Sequence, residues 1–234
     1  MTVARTRESA HERALAQSLP DMFVSVVAGL YHTLGRLARH ARGQPARIRS
    51  PDRDLLEQRL LPAFGRDPDI RRVLFVGCAT YTQHYPSMLP AAEHWTLDAD
   101  PLRRRYGISR HIIAPLQHLT PDATGGLLDL IVCNGVLGWG LDSPDNAQSA
   151  MDACRQTLRS GGYLLLGWND VFPRNRVKPE QIPALASFEH ADYDGFAARI
   201  RVRSANRHVY DLYRAPGSGS TRFATAMRSS PSQA

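Results

Sequence analysis

Residues 71–101 read RRVLFVGCATYTQHYPSMLPAAEHWTLDADP, and this stretch decides the fold. An apolar strand, Val73 to Val76, runs into Gly77. A second short apolar run ends at Asp98, about twenty residues further on. This layout is the first half of a nucleotide-binding βαβ unit. Gly77 has no Cβ to obstruct a tight turn or the approach of a ligand to the backbone. Asp98, at the carboxyl end of the second strand, can accept two hydrogen bonds from a ribose diol. Asp100 reads as a turn or helix-cap residue.

Outward from this unit, a helix is expected over Thr82–Leu89 and strands over Trp95–Asp98, His111–Ala114 and Leu128–Cys133. Ser143-Pro144-Asp145 starts a helix that runs to Leu158 and presents Ala147, Ala150, Met151, Cys154 and Leu158 to the core. Gly161-Gly162 reads as its stop and Tyr163–Trp168 as a fifth strand. Short apolar strands separated by helices favour a parallel sheet covered on both faces. After a proline-bearing loop (Pro173, Pro179, Pro183), Ala198–Arg203 and Arg207–Arg214 form a hairpin around Ser204-Ala205-Asn206, placed at one sheet edge.

Upstream, Met22, Phe23, Val26, Val27, Leu30, Leu34 and Leu37 recur at helical spacing until Gly43-Gln44-Pro45 breaks the pattern. A second helix starts at Ser50-Pro51-Asp52, carries Leu55, Leu56, Leu60 and Leu61 on one stripe, and ends near Gly65 and Asp67-Pro68. The expected division is an N-terminal helical lid over residues 1–65, a cofactor domain over 66–215 and a small, polar, disordered tail over 216–234.

The chain has 234 residues and a net charge of +7, with Lys178 as its single lysine. Residues 1–49 hold eight arginines against three acids, a surplus of +5. That suits a solvated basic face or an anionic ligand, whereas nucleic acid calls for interleaved exposed aromatics that this segment lacks. Cys78, Cys133 and Cys154 have no metal-ligand spacing and read as small core residues in a reducing compartment. The longest apolar run, Met22 to Leu30, is too short to span a bilayer, and no signal peptide is evident, so a cytoplasmic location is expected.

The glycine turn after strand one, the acid ending strand two and the Asn134 turn after strand four resemble a class I S-adenosylmethionine (SAM)-dependent methyltransferase. The Leu158-to-Leu166 passage through Gly161-Gly162 and the closing hairpin resemble that family as well. The resemblance covers roughly residues 70–214. It implies an α/β, Rossmann-like fold with a seven-stranded, mostly parallel sheet, an antiparallel edge hairpin and an N-terminal helical lid. It implies SAM as the cofactor, or as the substrate itself, held by Val76, Gly77, Cys78, Ala79, Asp98, Asn134 and Gly135. The glycine loop departs from the family pattern: Phe75 stands where an acid is usual, and Ala79 and Tyr81 stand where further glycines are usual. A dinucleotide enzyme needs those glycines against a pyrophosphate, but SAM carries no phosphate. Asn134 is followed by Gly135-Val136 rather than by two prolines and an aromatic, which lowers the standing of a nucleic-acid base or a protein amide as substrate.

Three functions compete. The first is methyl transfer to a small molecule in secondary or amino-acid-related metabolism. The second, resembling the azetidine-2-carboxylate synthase branch, is intramolecular cyclisation of SAM with release of methylthioadenosine. The third is a non-catalytic binding module. For catalysis the candidates are Asn134, Trp139 and Tyr81. Gly138-Trp139-Gly140 offers an indole face to a sulfonium, with Tyr81 and Trp168 as companions. His84, His111, His118, His208, Tyr85, Tyr210 and Tyr213 are scattered titratable residues, with structural roles as the default. Asn206-Arg207-His208 is a candidate for meeting a substrate carboxylate.

Overall fold

The computed structural model describes residues 48–217 except Arg174. The amphipathic pattern from Met22 to Leu37, the rest of the expected lid up to residue 47, and the tail from residue 218 lie outside the described residues. The chain enters through Ser50, extended at φ −157°, and Pro51 in the first turn. Helix α1, residues 51–66, is α-helical over Pro51–Leu55, a π turn over Leu56–Leu60, and α-helical again over Leu61–Arg66. The widened turn sits just ahead of Pro62. Proline has no N–H for the carbonyl four residues back, and its ring strikes that carbonyl in a regular helix, so the wider turn relieves the clash.

Eight strands follow: β1 (Arg72–Val76), β2 (Glu93–Asp98), β3 (His111–Ile113), β4 (Leu128–Asn134), β5 (Leu158–Asn169), β6 (Glu189–His190), β7 (Arg199–Arg201) and β8 (His208–Arg214). They form one sheet in the order β3-β2-β1-β4-β5-β8-β6, with β7 also paired to β8. The first five are parallel, and β8 runs antiparallel to β5. The expected hairpin is present as β7–β8. The strand beyond the expected seven is the two-residue β6, contributed by the proline-bearing loop and paired to β8.

Alternation along the strands divides the core. Val73, Phe75, Leu130, Val132, Leu165 and Leu212 face one side and pack with Leu56, Leu60, Leu61 and Phe64 of α1. Leu74, Val76, Ile131, Cys133, Leu164 and Leu166 face the other. There they meet Ala147, Ala150, Met151 and Cys154 of helix α3 (Pro144–Thr157), a short α2 (Pro121–Thr124) having preceded it. Ser143 caps α3 by accepting from the Asn146 N–H at 3.3 Å. All three cysteines are buried.

Two local expectations are corrected. The helix expected over Thr82–Leu89 is a four-residue 3₁₀ turn, Tyr85–Met88. Pro86 disfavours helical geometry at Tyr85, and Pro90 closes the segment. The Thr82 hydroxyl also turns back to the Ala79 backbone at 3.0 Å, an alternative to the helical ladder. The second correction concerns Gly161-Gly162, expected as a helix stop: α3, expected to run to Leu158, ends at Thr157, and the two glycines lie within β5. Leu158 is drawn directly into β5 opposite Leu128, and both glycines fall where β5 advances from Leu158 to Tyr163 while β4 advances only from Leu128 to Leu130.

Asp129 clasps the amino end of the sheet. It is 7% exposed, and its Oδ2 accepts from the Arg71 and Arg72 N–H groups at 2.8 Å each, while Arg159 Nε donates to Oδ1. Asp129→Ala removes the shared acceptor and leaves two N–H groups and a guanidinium without it. The expected cost is about 3 kcal/mol in urea unfolding. Because Asp129 sits at the end of the sheet remote from the cavity described below, ligand affinity of the folded fraction should be unchanged.

Candidate functional site

The carboxyl ends of β1, β2, β4 and β5 open onto a cavity of about 630 Å³. Its wall includes every residue singled out for cofactor binding: Val76, Gly77, Cys78, Ala79, Asp98, Asn134 and Gly135. The three catalytic candidates, Asn134, Trp139 and Tyr81, line it as well. Parallel register brings these distant positions together. Phe75 lies opposite Thr96 and Val132, and Asn134 lies opposite Gly167, so the first loop residue after each strand reaches the same edge.

Gly77 extends the ladder by one bond, its N–H donating to Leu97 O at 2.8 Å, and then turns with φ +84°. An L side chain is strained there, and a Cβ would meet Val136 Cγ2 at 3.4 Å. The turn aims the Cys78 N–H at Asp98 Oδ2, 2.7 Å away, while Asp98 Oδ1 accepts from the Asp100 N–H at 2.9 Å. A carboxylate offers about four acceptor positions, so these two backbone bonds leave capacity for a ligand. Asp100 caps the following 3₁₀ turn through the Leu102 N–H, as expected of it. The Cys78 thiol is pushed up to about 12, first by burial and then by the Asp98 charge, so it stays protonated.

The aromatic candidates occupy unequal positions. Tyr81 lies beneath the Arg53 guanidinium, 4.2 Å from ring centre to Cζ, and Arg53 also donates to the Tyr85 hydroxyl. The loop after β1 is thereby fastened to α1. Trp139 is 61% exposed, at the mouth rather than the floor. Trp168 is corrected: it is buried, its indole N–H donates to Asp211 Oδ2 at 2.8 Å, and it does not line the cavity.

Of the four scattered histidines, only His208 lines the cavity. His84 pairs with Glu57 at 3.0 Å, His111 contacts Thr96 Oγ1 at 2.9 Å, and His118 is exposed. Tyr85, Tyr210 and Tyr213 are buried away from it. In the Asn206-Arg207-His208 turn, Asn206 and His208 reach the cavity, whereas Arg207 turns outward to Asp170 at 3.4 Å.

His208 is 4% exposed, and its Nδ1 lies 2.7 Å from Asn169 Oδ1. The amide oxygen can only accept, so Nδ1 carries the proton and Nε2 presents a lone pair. Burial lowers the His208 pKa; the Asp52 charge opposes this, and the Arg53 charge adds to it. Asp52, Arg53, Arg103, Gln117 and Asn169 are cavity residues that sequence reasoning missed. Asn169 was findable, since it ends the fifth strand as Asp98 and Asn134 end the second and fourth. The α1 residues carried no such signal, because only the fold brings them to the cavity.

No protein-family model and no curated protein matches the chain. Among solved structures it is similar to the N-methyltransferase NodS from Bradyrhizobium japonicum WM9, with 20% identity, a TM-score of 0.56, and coverage of 70% of this chain and 96% of that one. NodS in complex with S-adenosyl-L-homocysteine matches with 19% identity and a TM-score of 0.54 over 69% of this chain and 86% of that one. TrmN from Thermus thermophilus matches with 18% identity and a TM-score of 0.51, over 69% of this chain and 48% of that one. The likeness is one of architecture, and the chain has the Rossmann-like fold of the class I methyltransferases.

Proposed function

We propose that the protein is a SAM-dependent methyltransferase acting on a small molecule. The observation that carries this reading is Asp98: a carboxylate at the end of β2 that lines the cavity, locks the Gly77-Cys78 turn and retains acceptor positions for a ribose diol. The residues fit SAM better than a dinucleotide. The loop after β1 leads into a four-residue 3₁₀ turn rather than a helix, so it offers no helix N-terminus to a pyrophosphate. The cavity has the volume of a small-molecule site. The known N-methyltransferase architecture noted above agrees with this reading.

A bound SAM would supply a methyl group made electrophilic by its sulfonium. The chain's own work is then alignment and exclusion of water. Asp98 would hold the ribose, and the backbone from Val76 to Ala79, with Gly135, would form the cradle. Tyr81 is positioned by Arg53, and Trp139 at the mouth would present an indole face to the positive charge. Asn134 stands at the end of β4, where the acceptor would enter.

Asp98→Ala should weaken SAM binding at least tenfold in calorimetry, with an unchanged circular dichroism spectrum. Unchanged affinity would remove Asp98 from the site. Trp139→Leu should lower turnover about tenfold if the indole stabilises a desolvated cation; full activity would dismiss that role. Incubation with SAM alone, followed by mass spectrometry, separates the reactions. An intact SAM pool is expected for methyl transfer awaiting its acceptor. Methylthioadenosine with a cyclic amino acid would replace methyl transfer by cyclisation. A chain that binds no SAM would be the non-catalytic module.

A further inference from the structure

Two buried acceptors face one another across Gly167. Asn134 Oδ1 and His208 Nε2 are both buried, neither has a hydrogen-bond partner among the described residues, and both residues line the cavity. A Cβ on Gly167 would lie 2.0 Å from Asn134 Oδ1 and 3.0 Å from His208 Nε2. The two atoms therefore stand within about 5 Å of one another. Glycine at 167 is what allows this convergence, since any side chain would occupy the space between them.

Both atoms lack the same thing, a donor. His208 Nε2 is the lone-pair nitrogen because Nδ1 gives its proton to Asn169 Oδ1. Asn134 Oδ1, as the amide is oriented, only accepts. A buried acceptor without a partner is costly, so two of them at one spot mark a place built for a donor. One tetrahedral nitrogen donating two hydrogens at about 2.9 Å each spans about 5 Å between its acceptors. A hydroxyl carries one hydrogen and satisfies only one of the pair.

We propose that Asn134 Oδ1 and His208 Nε2 form a paired acceptor site for a neutral primary amine, and that this amine is the nucleophile of the reaction; the second clause rests on the function proposed above. Two hydrogens go to the two acceptors, and the nitrogen lone pair remains for attack. It forms the new N–C bond while the C–S bond of the sulfonium breaks and its electron pair stays on sulfur. The product ammonium gives its surplus proton to solvent. An ammonium would have no lone pair and would face a sulfonium of the same sign. Among the described residues, the charges that act on His208 are Asp52 and Arg53, of opposite sign, so together they supply no net countercharge for a second cation.

The amine belongs either to a separate acceptor molecule or to SAM itself, and the experiment distinguishes these sources. With ¹⁵N-histidine-labelled protein, the His208 ring should show protonated Nδ1 and unprotonated Nε2. Titration with n-butylamine in the presence of S-adenosylhomocysteine should shift Nε2, and n-butanol should shift it less. The apparent affinity for n-butylamine should rise about tenfold per pH unit below the amine's pKa of about 10.4. His208→Leu should lose about tenfold in amine affinity while keeping its affinity for S-adenosylhomocysteine. An affinity that is flat or falls with pH, an equal response to n-butanol, or a protonated Nε2 would overturn the proposal on the wild-type protein alone. If n-butylamine shifts Nε2 but S-adenosylhomocysteine does not bind, the amine site stands and the SAM reading falls. Methylthioadenosine from SAM alone would assign the amine to SAM; S-adenosylhomocysteine formed only with added n-butylamine would assign it to a separate molecule.

Discussion

Parallel pairing of β1 with both β2 and β4 is the constraint on which the site depends. Val73 to Val76 is buried on both faces, with alternate residues in two separate cores, so a slip of one residue would exchange the two sets. The same register fixes where each strand ends. Gly77, Asp98, Asn134 and Asn169 come from four strands, and each reaches the cavity because the hydrophobic pattern stops at the same height in all four. Binding residues at the carboxyl edge of such a sheet follow from its packing, since helices cover both faces and leave that edge open.

That logic explains how much was legible in the sequence. Strand ends are marked by a change from apolar to polar or glycine, and this change identified Gly77, Asp98 and Asn134 directly. The residues on either side of Gly77 and Asn134 came with them. The helix start at Ser143-Pro144 and the core face of α3 were equally plain, because capping and periodicity are local signals. What stayed hidden depends on tertiary pairing. Trp168 reads in the sequence as a companion to Trp139, but its indole N–H requires a partner when buried and finds Asp211 on β8. His208 could not be separated from the other histidines until β8 was known to run antiparallel beside β5, which sets it opposite Asn169.

Pro86 and Pro62 illustrate a different failure of sequence reasoning. Each lies in a segment expected as helix, and in each the imino ring altered the geometry. At Pro62 the helix survives by widening for one turn, since α1 is held by five buried residues, Leu56, Leu60, Leu61, Ala63 and Phe64. At Pro86 the segment has less apolar surface to bury, and the helix is lost to a 3₁₀ turn. The loss has a consequence for recognition. A nucleotide-binding loop normally delivers a helix dipole to phosphate, and this loop instead delivers Tyr81, fastened by Arg53. At this loop an aromatic ring stacked under a guanidinium stands where a helix N-terminus would otherwise face the ligand.

The polar end of the cavity follows from the same economy of space. Asn134 and His208 approach over Gly167, and the Asn169 amide fixes the imidazole from behind. Burial favours the neutral ring, because a charged imidazolium there would lose its hydration, an effect that the Asp52 charge opposes and the Arg53 charge reinforces. A neutral ring with its proton committed to Asn169 can only accept. On the proposed amine reading, the site would select its ligand by hydrogen count as well as by size: a group with two hydrogens and a free lone pair satisfies both acceptors and still has an orbital with which to react. An amide or a protonated amine satisfies the acceptors without that orbital, and a hydroxyl keeps the orbital but leaves one acceptor unpaired.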